Sequence, residues 1–226
     1  MSGFTNWWNR NIAVFVQIVR AVVVVVGVLW FSTGCRPNYD GLFHQTISSE
    51  NFEGAKQILW GMIRDDSFLA PKQRGRAQAF YRLAYVYAKT ENYDSMKVAL
   101  DISVQHDGNF TKAKREMVEY FSLDEFNKAV FLYNNFFYDK AIEKLYTAIT
   151  IIGTLPPYEE YSAVIYRCLA YGEAANKNVD KALEYCRKAS QLGDALSKKV
   201  LLEWEKEQKI SPPEKLEPRE KPTLSI

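Results

Sequence analysis

The chain has 226 residues and a nearly balanced charge, with 29 basic and 27 acidic side chains. Residues 1–34 contain Arg10 and Arg20 and no acidic side chain, so the rest of the chain has equal numbers of basic and acidic residues. Proteins that bind nucleic acid carry a basic excess on one surface. The charge balance therefore argues against nucleic acid as a partner.

The N-terminal region contains an uncharged apolar run of eleven residues, 21–31, which ends at small residues and Cys35. A membrane-spanning helix needs about 20 predominantly apolar residues, whereas about eleven is typical of the apolar part of a signal peptide. Extending the run back to residue 12 places Gln17 and Arg20 in the hydrocarbon, where an arginine costs about 2.5–3.5 kcal/mol. A signal peptide over residues 1–34 is the favoured prediction, and an uncleaved N-terminal membrane anchor is the alternative.

The residues Ser32-Thr33-Gly34 before Cys35 resemble the bacterial lipobox, in which small residues precede a cysteine that is diacylated and becomes the mature N-terminus. Ser32 departs from that pattern, because the family usually has Leu, Val or Ile at this position. The resemblance implies lipid attachment at Cys35 and a short lipidated linker, residues 35–39. It also implies that the rest of the chain lies in the periplasm of a bacterial cell envelope, at the inner or outer membrane.

Beyond Cys35, apolar residues recur three and four positions apart, which predicts helices almost throughout the chain. Four segments share one sequence template for an amphipathic helix, and their equivalent positions are 41, 45 and 41 residues apart. A period of this length is typical of a solenoid of stacked helical units. The segments are residues 51–62, 92–103, 137–148 and 178–189, with the equivalent positions Ala55, Met96, Ala141 and Ala182.

The second unit has a pattern of large and small packing residues that resembles the tetratricopeptide repeat, and the last unit also resembles a Sel1-like repeat. The resemblance covers about residues 40–205. It implies an all-α fold, an α-solenoid of about four antiparallel helix pairs over residues 40–209 with a C-terminal capping helix from about residue 195. The residues that carry it are Phe80, Leu83, Ala84, Tyr87, Tyr93, Met96 and Leu100, and in the last unit Gly193-Asp194-Ala195.

Two local patterns refine the expected organisation. Ser122 and Glu125 have the spacing of a capping box, which predicts a helix start at Ser122 and a separate short helix over residues 111–121. Near the C-terminus, residues 212–222 contain four prolines interleaved with charged side chains. Such a composition cannot bury enough apolar surface to fold by itself. Residues 210–226 are therefore expected to form a disordered tail, with a docking segment as the alternative.

The sequence contains no arrangement typical of an enzyme or a metal site. Its two histidines, His44 and His106, stand apart from other candidate catalytic residues, and no phosphate-binding loop or nucleophile motif is present. We therefore expect no catalytic residues, no cofactor and no bound metal. Cys168 and Cys186 are expected in the core as small apolar side chains, with a disulfide between them as the alternative.

Function is therefore expected to come from a binding surface. The resemblance to the tetratricopeptide family implies that the first helix of each pair lines a concave groove that binds an extended peptide or an amphipathic helix of a partner. Packing between neighbouring repeats is the alternative role for the same side chains. The groove positions carried over to this chain are Tyr81, Tyr85, Lys89, Phe126, Val130, Tyr133, Asn134, Arg167 and Tyr171.

Two functional hypotheses agree with these patterns. The first is a lipid-anchored adaptor that holds a protein or peptide partner in an envelope assembly. The second is a self-associating scaffold or spacer, anchored by an uncleaved N-terminal transmembrane helix. Loss of a partner in groove variants would support the first hypothesis, and concentration-dependent sedimentation would support the second.

Overall fold

The computed structural model of the protein describes residues 38–65, 72–153, 158–207, 212–222 and 224. Within these ranges the chain is helical and contains no β-strand. None of the helices in these ranges is both long and apolar enough to cross a membrane. The signal peptide or anchor predicted over residues 1–34 and the lipid-attachment site Cys35 lie outside the described residues.

Nine α-helices follow one another through the described ranges, and a 3₁₀ turn at Gly108–Phe110 precedes the fifth. Their bounds are α1 (Tyr39–Ser48), α2 (Phe52–Arg64), α3 (Lys72–Lys89), α4 (Tyr93–His106), α5 (Thr111–Asn134), α6 (Tyr138–Ile152), α7 (Glu159–Ala175), α8 (Val179–Gln191) and α9 (Ala195–Glu207).

These helices pack in sequential pairs, α1 with α2, α3 with α4, α5 with α6 and α7 with α8. Successive pairs contact one another through α2 and α3 and through α6 and α7, and α9 packs on α8. The arrangement confirms the predicted all-α class and the solenoid-like succession of helix pairs with a final C-terminal helix.

The turn inside each pair has the same backbone geometry. Its last residue has a positive φ of 55–65°, and the next residue donates its backbone N–H to a carbonyl five positions earlier, at 2.8–2.9 Å. That next residue is the N-cap of the second helix and the first position of the repeated sequence template, so the sequence period reflects a repeated turn. The positive-φ residues are Glu50, Glu91, Phe136 and Lys177, and the N-caps are Asn51, Asn92, Phe137 and Asn178.

The third pair differs from the prediction made for it. Helix α5 runs without interruption through Ser122, whose hydroxyl is buried and donates to the backbone oxygen of Ala148 on α6 at 2.9 Å. Glu125 is fully buried and forms ion pairs with Lys144, at 2.8 Å, and with Lys128. The Ser122–Glu125 pattern therefore ties α5 to α6 rather than starting a helix, and the predicted separate helix before Ser122 does not exist.

The buried apolar side chains form two clusters. One lies among α1, α2, α3 and α4 and contains Phe43, Leu59 and Leu83. The other continues from α3 through the later pairs and includes Trp204 on α9 and Leu216 beyond the last helix. Because both clusters draw on more than one helix pair, no pair completes its core alone.

Both described cysteines are free thiols in this core, so the alternative of a disulfide between them is not realised. Cys168 is 4% exposed and Cys186 is fully buried. Burial raises the pKa of the Cys168 thiol to about 12 and that of Cys186 to about 11. Both side chains act as small apolar residues at neutral pH.

The shared turn geometry predicts the effect of a glycine substitution. Glu91 is exposed and has a φ of 56°, a region that costs a residue with a Cβ about 1–2 kcal/mol. Glu91→Gly should therefore raise the free energy of unfolding, by about 0.5–1 kcal/mol after glycine's entropic cost. Gln57→Gly, at an exposed position inside α2, should instead lower it by about 1 kcal/mol. Urea unfolding measures both free energies, and a lower free energy of unfolding for Glu91→Gly than for the unchanged protein would contradict the account.

Candidate functional site

A segment without helix or strand, residues 212–222, lies along α5 and is held there by two asparagine side chains. Asn134 donates from Nδ2 to the backbone oxygen of Leu216 at 2.9 Å, and its Oδ1 accepts from the backbone N–H of Leu216 at 2.7 Å. Asn127 makes the same two bonds with Arg219, at 2.7 and 2.8 Å. Each carboxamide thus pairs with both backbone groups of a single residue.

This position of residues 212–222 differs from the favoured prediction of a disordered tail and corresponds to the alternative, a docking segment. The described residues of the segment form no helix or strand. Its backbone groups nevertheless find partners, because side chains of α5 supply the donors and acceptors that a proline-rich segment cannot supply to itself. Low apolar content excludes an independent core but does not exclude docking on another surface.

Side chains add further contacts along the same line. Leu216 is 9% exposed and joins the larger apolar cluster. The hydroxyl of Tyr133 donates to the backbone oxygen of Pro213 at 2.6 Å. The guanidinium carbon of Arg219 lies 5.7 Å from the ring centroid of Tyr161 on α7, within the range of a cation–π contact.

The final contact is an ion pair. Lys221 donates from Nζ to Oδ1 of Asp124 at 2.6 Å, and the same nitrogen lies 4.9 Å from the ring centroid of Tyr120. Burial by itself would raise the pKa of Asp124, but hydrogen bonds from Lys221 and Lys128 outweigh burial and lower that pKa. The hydrogen bond to Asp124 raises the pKa of Lys221. The opposite shifts show that each group stabilises the charge of the other.

We call the surface that holds residues 212–222 the tail-binding face. It combines aromatic rings, two carboxamides and one carboxylate, all on the first helices of the third and fourth pairs. Its members are Tyr120, Asp124, Asn127, Tyr133 and Asn134 on α5 and Tyr161 on α7.

Two of the nine predicted groove residues, Tyr133 and Asn134, lie on this face and contact the tail. Three others require correction: like the ring of Tyr133 they are buried in the core, but none of them makes a hydrogen bond to the described residues of the tail. Phe126 and Val130 are each 2% exposed, and Tyr81 is 5% exposed with its ring 5.6 Å from that of Phe110. They fill the space between helices, which was the alternative role stated for them.

The remaining four predicted residues lie outside the tail contacts. Tyr85 is half-buried against the ring of Phe121 at 6.0 Å, and the ammonium group of Lys89 lies 5.6 Å from the Tyr85 ring centroid. Arg167 donates to Asp194 at 2.6 Å, and the ring of Tyr171 lies 6.2 Å from that of Trp204. The last two therefore connect α7 to the C-terminal end of the stack rather than lining a groove.

Sequence reasoning missed four members of the tail-binding face, Tyr120, Asp124, Asn127 and Tyr161. One signal for Asn127 is visible in the sequence. Asn127 and Asn134 are seven residues, or about two helical turns, apart, so they project from nearly the same side of α5. Asparagine is also unfavourable inside helices. Two such residues on one side of a helix therefore indicate a role other than helix formation.

The described ranges contain no group of three or more His, Cys, Asp or Glu side chains that could hold a metal ion. The ring of His106 stacks on that of Phe80 at 5.7 Å, and the ring of the exposed His44 lies 5.6 Å from that of Phe43. No protein-family model matches the sequence, and a search of curated proteins found no significant match.

Amide hydrogen exchange of individual residues tests the geometry of this face. The N–H groups of Leu216 and Arg219 should exchange slowly, because both are hydrogen-bonded, whereas those of the exposed residues Lys215, Glu217 and Glu220 should exchange quickly.

The double variant Asn127→Ala/Asn134→Ala should abolish the slow exchange at both positions, and Asn109→Ala, at an exposed site away from the tail, should preserve it. Uniformly fast exchange across residues 214–221 of the unchanged protein would contradict the observed contacts.

Proposed function

We propose that this protein is a membrane-tethered adaptor of the bacterial cell envelope whose tail-binding face binds an extended peptide segment of a partner protein. The proposed activity is binding alone, with no cofactor and no reaction. Its tether is the lipid attached at Cys35, as the lipobox-like residues 32–35 suggest. The alternative tether is an uncleaved N-terminal helix.

The observation that supports peptide binding is the pairing of two carboxamides with backbone N–H and C=O groups. A peptide backbone offers this donor and acceptor pair at every residue except proline, so the interaction suits any extended segment. Asn127 and Asn134 are already aligned on a rigid helix, which lowers the ordering cost of binding. This face therefore has the chemistry of a peptide receptor.

The alternative function, a self-associating scaffold, has one specific observation in its favour. The segment held on the tail-binding face belongs to this same chain, so the face of one copy can accept residues 212–222 of a neighbouring copy. Such an exchange would produce dimers or longer arrays. Sedimentation of the full chain across a hundredfold range of concentration separates the two functions, because an adaptor stays monomeric.

The adaptor function predicts a partner that depends on the asparagine pair. The full chain should be isolated from its native membranes in three forms: unchanged, Asn127→Ala/Asn134→Ala, and the control Asn109→Ala. The amount of at least one co-purifying protein should fall at least tenfold with the double variant and stay unchanged with the control. The reason is that the double variant removes four hydrogen bonds to backbone groups.

Circular dichroism should show the same helical content for all three forms, since both asparagines lie at the surface of the stack. An identical set of co-purifying proteins with all three forms would contradict the adaptor function.

A further inference from the structure

The spacing of the two asparagines matches the spacing of the two tail residues that they bind. Seven residues on an α-helix advance by about 10.5 Å. Three residues of an extended chain advance by about 9–10 Å. Asn134 and Asn127 can therefore hold Leu216 and Arg219 without bending either the helix or the segment, and the segment runs antiparallel to α5.

The positions of the prolines agree with this binding mode. Proline has no N–H, so it cannot occupy a position whose N–H is accepted by an asparagine. Prolines stand at 212, 213, 218 and 222, and none occupies 216 or 219. The backbone contacts recur at 213, 216 and 219, every third residue, which is the repeat of a polyproline II helix. One face of the segment thus meets α5.

Side-chain contacts on that face define which sequences fit. Leu216 is buried, Arg219 lies over the ring of Tyr161, and Lys221 pairs with Asp124. Between them, Lys215 and Glu217 are exposed. Recognition therefore requires a leucine, an arginine three residues later and a lysine five residues later, within an extended proline-containing segment.

The tail is held by contacts that a separate peptide could reproduce completely. Only one side chain of residues 212–222, that of Leu216, is buried, and the other contacts are hydrogen bonds, one ion pair and cation–π contacts at the surface. Because the tail belongs to the same chain as the face, it competes there intramolecularly, with an advantage over a free peptide of the same sequence. A partner segment must displace it.

We infer that residues 212–222 are a built-in competing ligand of the tail-binding face, and that partners present an extended segment with the same Leu-x-x-Arg-x-Lys pattern. This inference rests on the proposed function, because it assumes that the face binds peptides of other proteins. It goes further by naming the class of peptide and the segment that excludes it.

The test uses the full chain in detergent and a fluorescent peptide with the sequence of residues 211–226. Leu216→Asp in the chain places a carboxylate at a buried apolar position and should release the tail, leaving the face intact. The released chain should bind the peptide at least tenfold more tightly than the unchanged chain. Lys215→Asp, at the adjacent exposed position, should behave like the unchanged chain.

Three further arms establish where and how the peptide binds. Adding Asn127→Ala/Asn134→Ala to Leu216→Asp should weaken peptide binding at least tenfold. A peptide with aspartate in place of its leucine should not bind, and a peptide with alanine in place of the arginine and lysine should bind at least tenfold more weakly. These peptide changes cannot affect the fold of the protein. Arg219→Ala/Lys221→Ala in the chain provides a second, milder release of the tail.

Equal affinity of the unchanged and released chains for the peptide would overturn the inference, because the tail would not then compete. It would also be overturned if neither released chain bound the peptide while both kept their helical content, since the tail would then be a fixed part of the fold. Either result is compatible with the proposed function if the recovery of a co-purifying protein still depends on Asn127 and Asn134. Loss of that dependence, in contrast, contradicts the proposed function itself.

Discussion

A helical hairpin cannot bury its apolar side chains alone, and this constraint determines both the stack and the surface that the stack presents. On α5, Phe126 and Tyr133 are seven residues apart and project into the core. Asn127 and Asn134 have the same spacing one position later, about 100° further around the helix. The burial of one line of side chains therefore leaves the adjacent line of carboxamides at the surface, aligned and held on a rigid element.

A carboxamide is well suited to hold a peptide backbone, because its NH₂ group donates and its carbonyl oxygen accepts within one plane. Two of them, on successive double turns of α5, pair with residues that are three positions apart in the tail. Under the proposed function, backbone pairing would supply affinity for a segment of any sequence without proline at these positions. The leucine position and the ion pair with Asp124 would then supply selectivity.

The helix pairs could be predicted from the sequence because the turn within each pair repeats, and the repeated template begins at the N-cap that follows each positive-φ residue. The continuity of α5 could not be predicted from the sequence. A serine and a glutamate three residues apart fit a capping box at a helix start, but they fit positions inside a helix equally well. Only the position of α6 shows that Ser122 bonds to Ala148. The docking of the tail could not be predicted either, although its four prolines argue against a helix. The hydrogen bonds between Asn127 and Arg219 join residues 92 positions apart, so they depend on the folded stack.

Of the nine groove positions transferred by resemblance, only Tyr133 and Asn134 contact the tail. Four of the nine positions lie on α5 and two on α7, the helices that hold the tail, whereas Tyr81, Tyr85 and Lys89 lie on α3. Phe126 and Val130 are apolar residues that the core requires, and Arg167 and Tyr171 are used to attach the C-terminal part of the chain. Position within a repeat could not reveal these competing uses, because they depend on neighbouring pairs.

Photo-crosslinking from position 120 tests most directly whether the tail occupies the face of its own chain. Tyr120 lies beside Lys221, so a benzoylphenylalanine at this position should form crosslinks within one molecule to residues 219–222. Excess free peptide with the sequence of residues 211–226 should replace them with crosslinks to the peptide. Absence of crosslinks to either segment, in a protein that keeps its helical content, would contradict the account.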